Sequence, residues 1–183
     1  MTIDAPTRRS LAELVRARGY EHRDPPFQLT SGGWSHDYVD GKHAVAAGCD
    51  LRTVAEAALE QVGTDFDAVG GPTMGADALS HAMALLSGKG WYSIRKEPKG
   101  HGRAAWVEGT RLEEGHRVVV VEDVVSTGGS LLKGVDRLKE LGAEVVAATA
   151  ILDRSPRVAE RFAAAGILWR PLLTWEDLAI APL

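Results

Sequence analysis

Two stretches of this chain carry side chains whose types and spacing suit chemistry on a phosphorylated ligand. The first is Glu122-Asp123-Val124-Val125-Ser126-Thr127-Gly128-Gly129-Ser130, which follows the unbroken β-branched run Val118 to Val121. Glycines let the backbone take positive φ, so neighbouring N–H groups can turn into one concavity. A helix start behind such a turn adds unpaired donors and a partial positive charge. A phosphate fits there, with hydroxyl side chains as further donors. Glu122 and Asp123 fall at the carboxyl end of the apolar run, the end at which open α/β sheets bind ligands. Carboxylates accept hydrogen bonds, so ribose hydroxyls or hydrated Mg²⁺ are their natural partners. The plain alternative is an ordinary βα loop with a solvated acidic pair. The turn lacks the Gly-Lys-Ser/Thr of a Walker A loop and the G-x-G-x-x-G of a dinucleotide fingerprint.

The second stretch is Arg95-Lys96-Glu97-Pro98-Lys99-Gly100-His101-Gly102-Arg103, with four cations and a histidine in nine residues. Pro98 and its small neighbours keep it from becoming a helix. A charge run is usually a solvated face. This one begins directly after a strand-like segment, at the ligand-binding end, and Glu97 is its single acid. His101 has the near-neutral titration of a general acid, but a loop residue with no proton role reads equally well.

The elements that must hold these stretches follow from periodicity. Val118 to Val121 reads as a strand buried on both faces, and Leu131, Val135 and Leu138 mark a helix stopped at Gly142. Upstream, Ser10 and Glu13 have capping-box spacing for a short helix ending at Gly19, and Asp24-Pro25-Pro26 reads as a break. Phe27 to Asp40 predicts a hairpin or hood. Asp50 caps a helix with Leu51, Val54, Ala58 and Val62 on one face. Phe66 to Gly70 predicts a strand, residues 71–75 a tight turn, and Leu79, Ala82, Met83 and Leu86 a helix face. Trp91 to Arg95 predicts a strand, and Glu97 to Thr110 a long functional loop. Glu144 to Leu152 is a strand, Arg157 to Ala165 a helix ending at Gly166, and a short helix near Glu176 closes the chain. Strands alternating with helices argue for a parallel sheet covered on both sides.

Length and composition fit one ordinary globular domain: 183 residues, 45% hydrophobic and 25% charged. The net charge of −4 gives no global attraction for nucleic acid, while the local basic segment suits a small anion. No apolar stretch has the length of a membrane span, and residues 1–9 lack the apolar core of a signal peptide. The single cysteine, Cys49, predicts a reducing, cytoplasmic setting and reads as a small buried or half-buried residue rather than a nucleophile.

The string from Val118 to Ser130 resembles the PRPP-binding motif of the type I phosphoribosyltransferases. Arg-Lys-Glu-x-Lys-x-His-Gly at 95–102 looks like the catalytic loop of the orotate phosphoribosyltransferase family. Phe27 to Gly32 and Tyr38-Val39-Asp40 are similar to its base hood, Gly70 to Ala76 to its pyrophosphate loop, and Leu152-Asp153-Arg154 to the strand end carrying an orotate-contacting arginine. Pro171 to Leu178 matches its closing segment, so the likeness is collinear from about Phe27 onward. The chain departs from many members in having Thr30, Met74 and Gly75 where they carry lysine or a tyrosine-lysine pair.

The resemblance implies an α/β fold, a type I phosphoribosyltransferase-like parallel sheet flanked by helices with a small N-terminal hood. Residues 1–45 would form the N-terminal helix and hood, and 46–183 the core. It implies Mg²⁺-dependent transfer from PRPP to orotate, giving orotidine 5′-monophosphate and pyrophosphate. Arg95, Lys96, Lys99 and His101 would stabilise the departing pyrophosphate, Glu122 and Asp123 would hold the ribose, and Val124 to Ser130 the 5′-phosphate. Lys99, His101, Lys96 and Asp123 are the catalytic candidates. Ser126 and Arg154 would contact orotate, with a structural ion pair of Arg154 to Asp153 or Glu160 as the alternative. It also implies a homodimer with shared sites. The remaining alternatives are a purine-specific enzyme on the same scaffold and a non-catalytic PRPP-sensing regulator.

Overall fold

The computed structural model describes residues 2–29, 32–98 and 106–183. The central sheet runs β5 (Val107–Gly109), β4 (Gly90–Ile94), β3 (Ala68–Pro72), β6 (Arg117–Val125), β7 (Glu144–Asp153), β8 (Leu168–Trp169), and β9 (Leu173–Thr174) also pairs with β7. All these pairings are parallel except β4 with β5. Val118 to Val121 are fully buried because each face of the sheet has its own cover. Val119 and Val121 point into a core shared with α1 (Ala5–Gly19), α3 (Gly48–Val62) and α4 (Asp77–Ser87). Val118 and Val120 point the other way, into a core with α5 (Gly129–Glu140) and α6 (Val158–Ala164). Unbroken apolar character is what a strand needs when both of its faces are dry.

The hood is a separate antiparallel pair, β1 (Tyr20–Gln28) with β2 (Trp34–Val39). The one-turn helix α2 (Gly41–Ala44) leads from it toward the sheet, capped by the Asp40 side chain, which accepts from His43 N at 3.0 Å. Helix α1 is not part of the hood sheet. Its Leu11, Ala12 and Val15 are buried in the main core.

Six expectations need correction. Asp50 does not cap its helix, since α3 begins at Gly48 behind the N-cap Ala47, no side chain caps it, and Asp50 lies within its first turn. Cys49 is exposed rather than buried, because that same first turn faces outward. Helix α1 starts at Asp4, whose side chain accepts from Thr7 N at 2.8 Å; Ser10 and Glu13 lie inside the helix, where their spacing caps nothing. Asp24-Pro25-Pro26 does not interrupt β1, because a register shift between His22 and Phe27 absorbs the two residues without ladder donors. The 97–110 segment is not wholly irregular, since Val107–Gly109 pairs along β4. No helix forms near Glu176. The Asp177 carboxylate accepts from Thr174 N at 2.7 Å and Thr174 Oγ1 at 3.2 Å, so a side chain closes that turn instead.

Candidate functional site

Strand β6 delivers the site. It ends at Val125, and α5 begins at Gly129, so Ser126 to Gly128 make the whole connection. Gly128 is the N-cap with φ +70°, and a Cβ there would come within 2.9 Å of Val158, so both backbone and packing call for glycine. No side chain caps α5, and Leu132 N is the first to reach a helix carbonyl, that of Gly128. The N–H groups of Gly129, Ser130 and Leu131 thus have no intrahelical acceptor and face a small concavity of about 70 Å³ lined by residues 124–131 and Glu122. Thr127 is steadied from α6, where Arg161 donates to its carbonyl.

Glu122 and Asp123 stand where the strand leaves the sheet. Lys42 of α2 donates to Asp123 Oδ2 at 2.9 Å and lies 3.6 Å from Asp40. That contact raises the Lys42 pKa, the Asp123 hydrogen bond being the largest cause. Among the described residues Glu122 has no cation of its own. Burial, then the neighbouring Asp123 charge, push its carboxyl up to about 8, against a weaker pull from Lys42. The 73–75 turn closes over this pair. A Cβ on Gly75 would fall 2.0 Å from Glu122 Oε1 and 2.6 Å from Asp123 Oδ1, so the glycine backbone packs directly on both carboxylates and no side chain fits there.

Beyond the acids lies an open cleft of about 850 Å³, walled by the 72–75 turn, the end of β4 and one face of α5. Arg95 and Lys96 line it as the sequence predicts. Arg95 is held by Glu108 at 3.2 Å and by the Glu97 carbonyl at 3.1 Å. Lys99 and His101 lie outside the described residues.

Arg154 follows β7, is 2% exposed beneath the hood, and lines neither of the two cavities. It donates to the carbonyls of Asp37 at 2.8 Å and Ala181 at 3.0 Å, and to Ser35 Oγ at 3.4 Å. Neither Asp153 nor Glu160 is its partner. Asp153 instead accepts from Trp169 Nε1 and Ser155 N, both at 2.8 Å, and burial raises its pKa. The Arg154 fork is therefore largely spent on the protein, and Nε is a buried donor without an acceptor among the described residues.

Sequence reasoning missed Lys42. No motif surrounds it, and its partner lies 81 residues away. It missed as well how closely Gly75 approaches the acids, although a glycine within a turn was a visible signal.

Residues 46–168 match the family model described as a phosphoribosyl transferase domain. The chain is 41% identical over 170 residues to the orotate phosphoribosyltransferase of Methanothermobacter thermautotrophicus, covering 93% of each. It is 37% identical to that of a Nostoc species, over 97% of this chain and 88% of the relative. Its fold is similar to the crystal structure of Mycobacterium tuberculosis orotate phosphoribosyltransferase in complex with PRPP, with TM-score 0.78, 31% identity, and coverage of 96% of this chain and 100% of that one.

Proposed function

The chain belongs to the phosphoribosyl transferase domain family, and from that membership we propose that it transfers the phosphoribosyl group of PRPP to orotate, yielding orotidine 5′-monophosphate and pyrophosphate. One observation carries the reading. A small amide-lined concavity and a larger cleft adjoin, and Glu122 and Val124 line both. That is the shape of a ligand with a phosphate at one end, a polyol in the middle and a bulkier anionic group beyond.

The 5′-phosphate binds the N–H groups of the Ser126–Ser130 turn, helped by the α5 dipole, and competes with Thr127 Oγ1 for that of Gly129. Glu122 and Asp123 accept hydrogen bonds from the ribose hydroxyls. The bond from C1 to the pyrophosphate oxygen breaks as positive charge builds on the ribose ring, and orotate nitrogen takes the vacated position. Negative charge grows on the leaving group, where Arg95, Lys96, Lys99 and His101 act as fixed cations or hydrogen-bond donors. Ser126 and Arg154 serve orotate. Of the five N–H donors of an arginine, Arg154 commits three to Asp37, Ser35 and Ala181, and its Nε is buried, so it has no free fork to present to the base.

Mg²⁺ fits this site as a partner brought with the substrate. Among the described residues no cluster of three or more metal-ligating side chains exists, and Glu122 and Asp123, which line the larger cleft, are the carboxylates that would hold the hydration shell of such a cation. When bound, it supplies neutralisation of phosphate charge.

We take residues 1–45 as helix and hood serving the 46–183 core, acting in a homodimer within the cytoplasm. The exposed Leu85 and Trp91, 84% and 40% accessible, support a covered face, and among the described residues no helix is long and apolar enough to cross a membrane.

The deciding assay follows loss of orotate absorbance with PRPP and Mg²⁺, with uracil and purines as controls; turnover of a purine but not orotate would reject the assignment. Mixing inactive Lys99→Ala and Asp123→Asn proteins is expected to restore part of the activity. Verified mixed dimers with no recovery would reject shared sites.

A further inference from the structure

The larger cleft contains more cations than the sequence motifs contribute, and most are already engaged. Lys42 is paired with Asp123 and Asp40. Arg95 is paired with Glu108. Arg137 of α5 is held by both oxygens of Glu140, at 3.0 and 2.9 Å, and lies 4.3 Å over the Trp106 ring. The turn that roofs the acids contributes Thr73, Met74 and Gly75, with no charge among them. Two cations lining the cleft have no ion pair among the described residues: Lys96, which the sequence had singled out, and Lys133, which it had not.

Lys133 lies on α5 three residues after Ser130, so both project from the same helix face. Gly134 beside it packs against β4 and the turn, since a Cβ there would meet Ile94 at 2.8 Å and Pro72 at 3.9 Å. The helix is thereby held against the mouth of the cleft. Lys133 lines the large cleft and not the small one, whereas Ser130 lines both. Its charge is therefore directed beyond the 5′-phosphate, toward whatever occupies the space between α5 and the 73–75 turn. Asp136 lines the same wall but forms no ion pair with it. Lys133 is an exposed cation on a packed helix, and a bound anion between α5 and the uncharged 73–75 turn would find it without a competing carboxylate among the described residues.

Resting on the phosphoribosyl transfer reading, we propose that Lys133 is a direct ligand of the diphosphate group, a binding residue supplied by the helix rather than by the turn or the basic segment. It stabilises bound PRPP and the pyrophosphate released from it, and it leaves the monophosphate end untouched.

The test is calorimetry of the full chain with three probes in Mg²⁺: inorganic pyrophosphate, PRPP and ribose 5-phosphate. Lys133→Ala is expected to weaken pyrophosphate and PRPP about tenfold, the loss of roughly one charge-assisted hydrogen bond. Ribose 5-phosphate affinity is expected to stay within about twofold, and Lys133→Arg to retain most of the pyrophosphate affinity. Unchanged pyrophosphate affinity in Lys133→Ala overturns the proposal, as does an equal loss for ribose 5-phosphate or a wild-type chain that binds no pyrophosphate. The two readings fail separately. Orotate turnover with no Lys133 effect sinks only this inference, while selective pyrophosphate loss in a chain inactive on orotate sinks only the choice of base.

Discussion

The β6–α5 turn proposed as a phosphate cradle and the hood proposed to cover the base are built in opposite ways. The cradle is one continuous run, Glu122 to Leu131, and its donors are main-chain amides set by a glycine at positive φ and a helix start. The hood depends on contacts between segments far apart in the chain. Arg154 reaches Asp37 across 117 positions and Ser35 across 119, and Ala181 N reaches the Asp37 carboxylate across 144. A local device presents the same groups whatever surrounds it. A distributed one exists only when the rest of the fold is in place, and it can be altered without disturbing the other.

The sharpest way to break this contrast is at the roof over the acids, which belongs to neither device. Gly75→Val is expected to lower kcat/KM for PRPP by about a hundredfold or more, because a side chain would occupy the space beside Glu122 Oε1 and displace the sugar. Steady-state kinetics beside a thermal melt checks it; near wild-type kcat/KM would mean the turn stands farther from the ligand.

A smaller effect separates hood from cradle. Arg154→Met is expected to raise the orotate KM about tenfold while the PRPP Kd stays within about twofold, since the lost donors bind Asp37, Ser35 and Ala181 and none reaches the cradle. Equal losses for both substrates would show that hood and cradle act as one unit.

The smallest effect concerns pH. Folding raises the Glu122 carboxyl from 4.5 to about 8, so between those values the folded chain holds a proton that the unfolded chain has released. The contribution of Glu122 to stability is complete below 4.5 and declines as pH rises toward about 8. Thermal melts of the ligand-free protein are expected to show that decline, and Glu122→Gln to flatten it. An identical slope in the variant would place the raised carboxyl elsewhere.

Much of the architecture was legible because burial leaves a pattern. The run Val118 to Val121 announces a strand with two dry faces, and Leu131, Val135 and Leu138 announce the helix that covers one of them. Errors came where a side chain, not a periodicity, decided the backbone. Asp4 rather than Ser10 starts α1, and Asp177 folds the closing segment into a turn. Pro25 and Pro26 read as a stop, yet a two-stranded sheet tolerates missing ladder donors by slipping register.

The sequence by itself determined the glycine turn before a helix start, the adjacent acids at a strand end and the alternation that makes a covered parallel sheet. Each of these depends on neighbours along the chain, through allowed φ, helix-end donors and side-chain period. Only the tertiary structure decided that Lys42 pairs with Asp123 and leaves Glu122 alone with its raised pKa, that Arg154 is spent on the hood, and that Lys133 shares a cleft with the 73–75 turn. Charge pairing and desolvation are set by what lies within a few ångströms in space, and the residues concerned lie far apart in the chain.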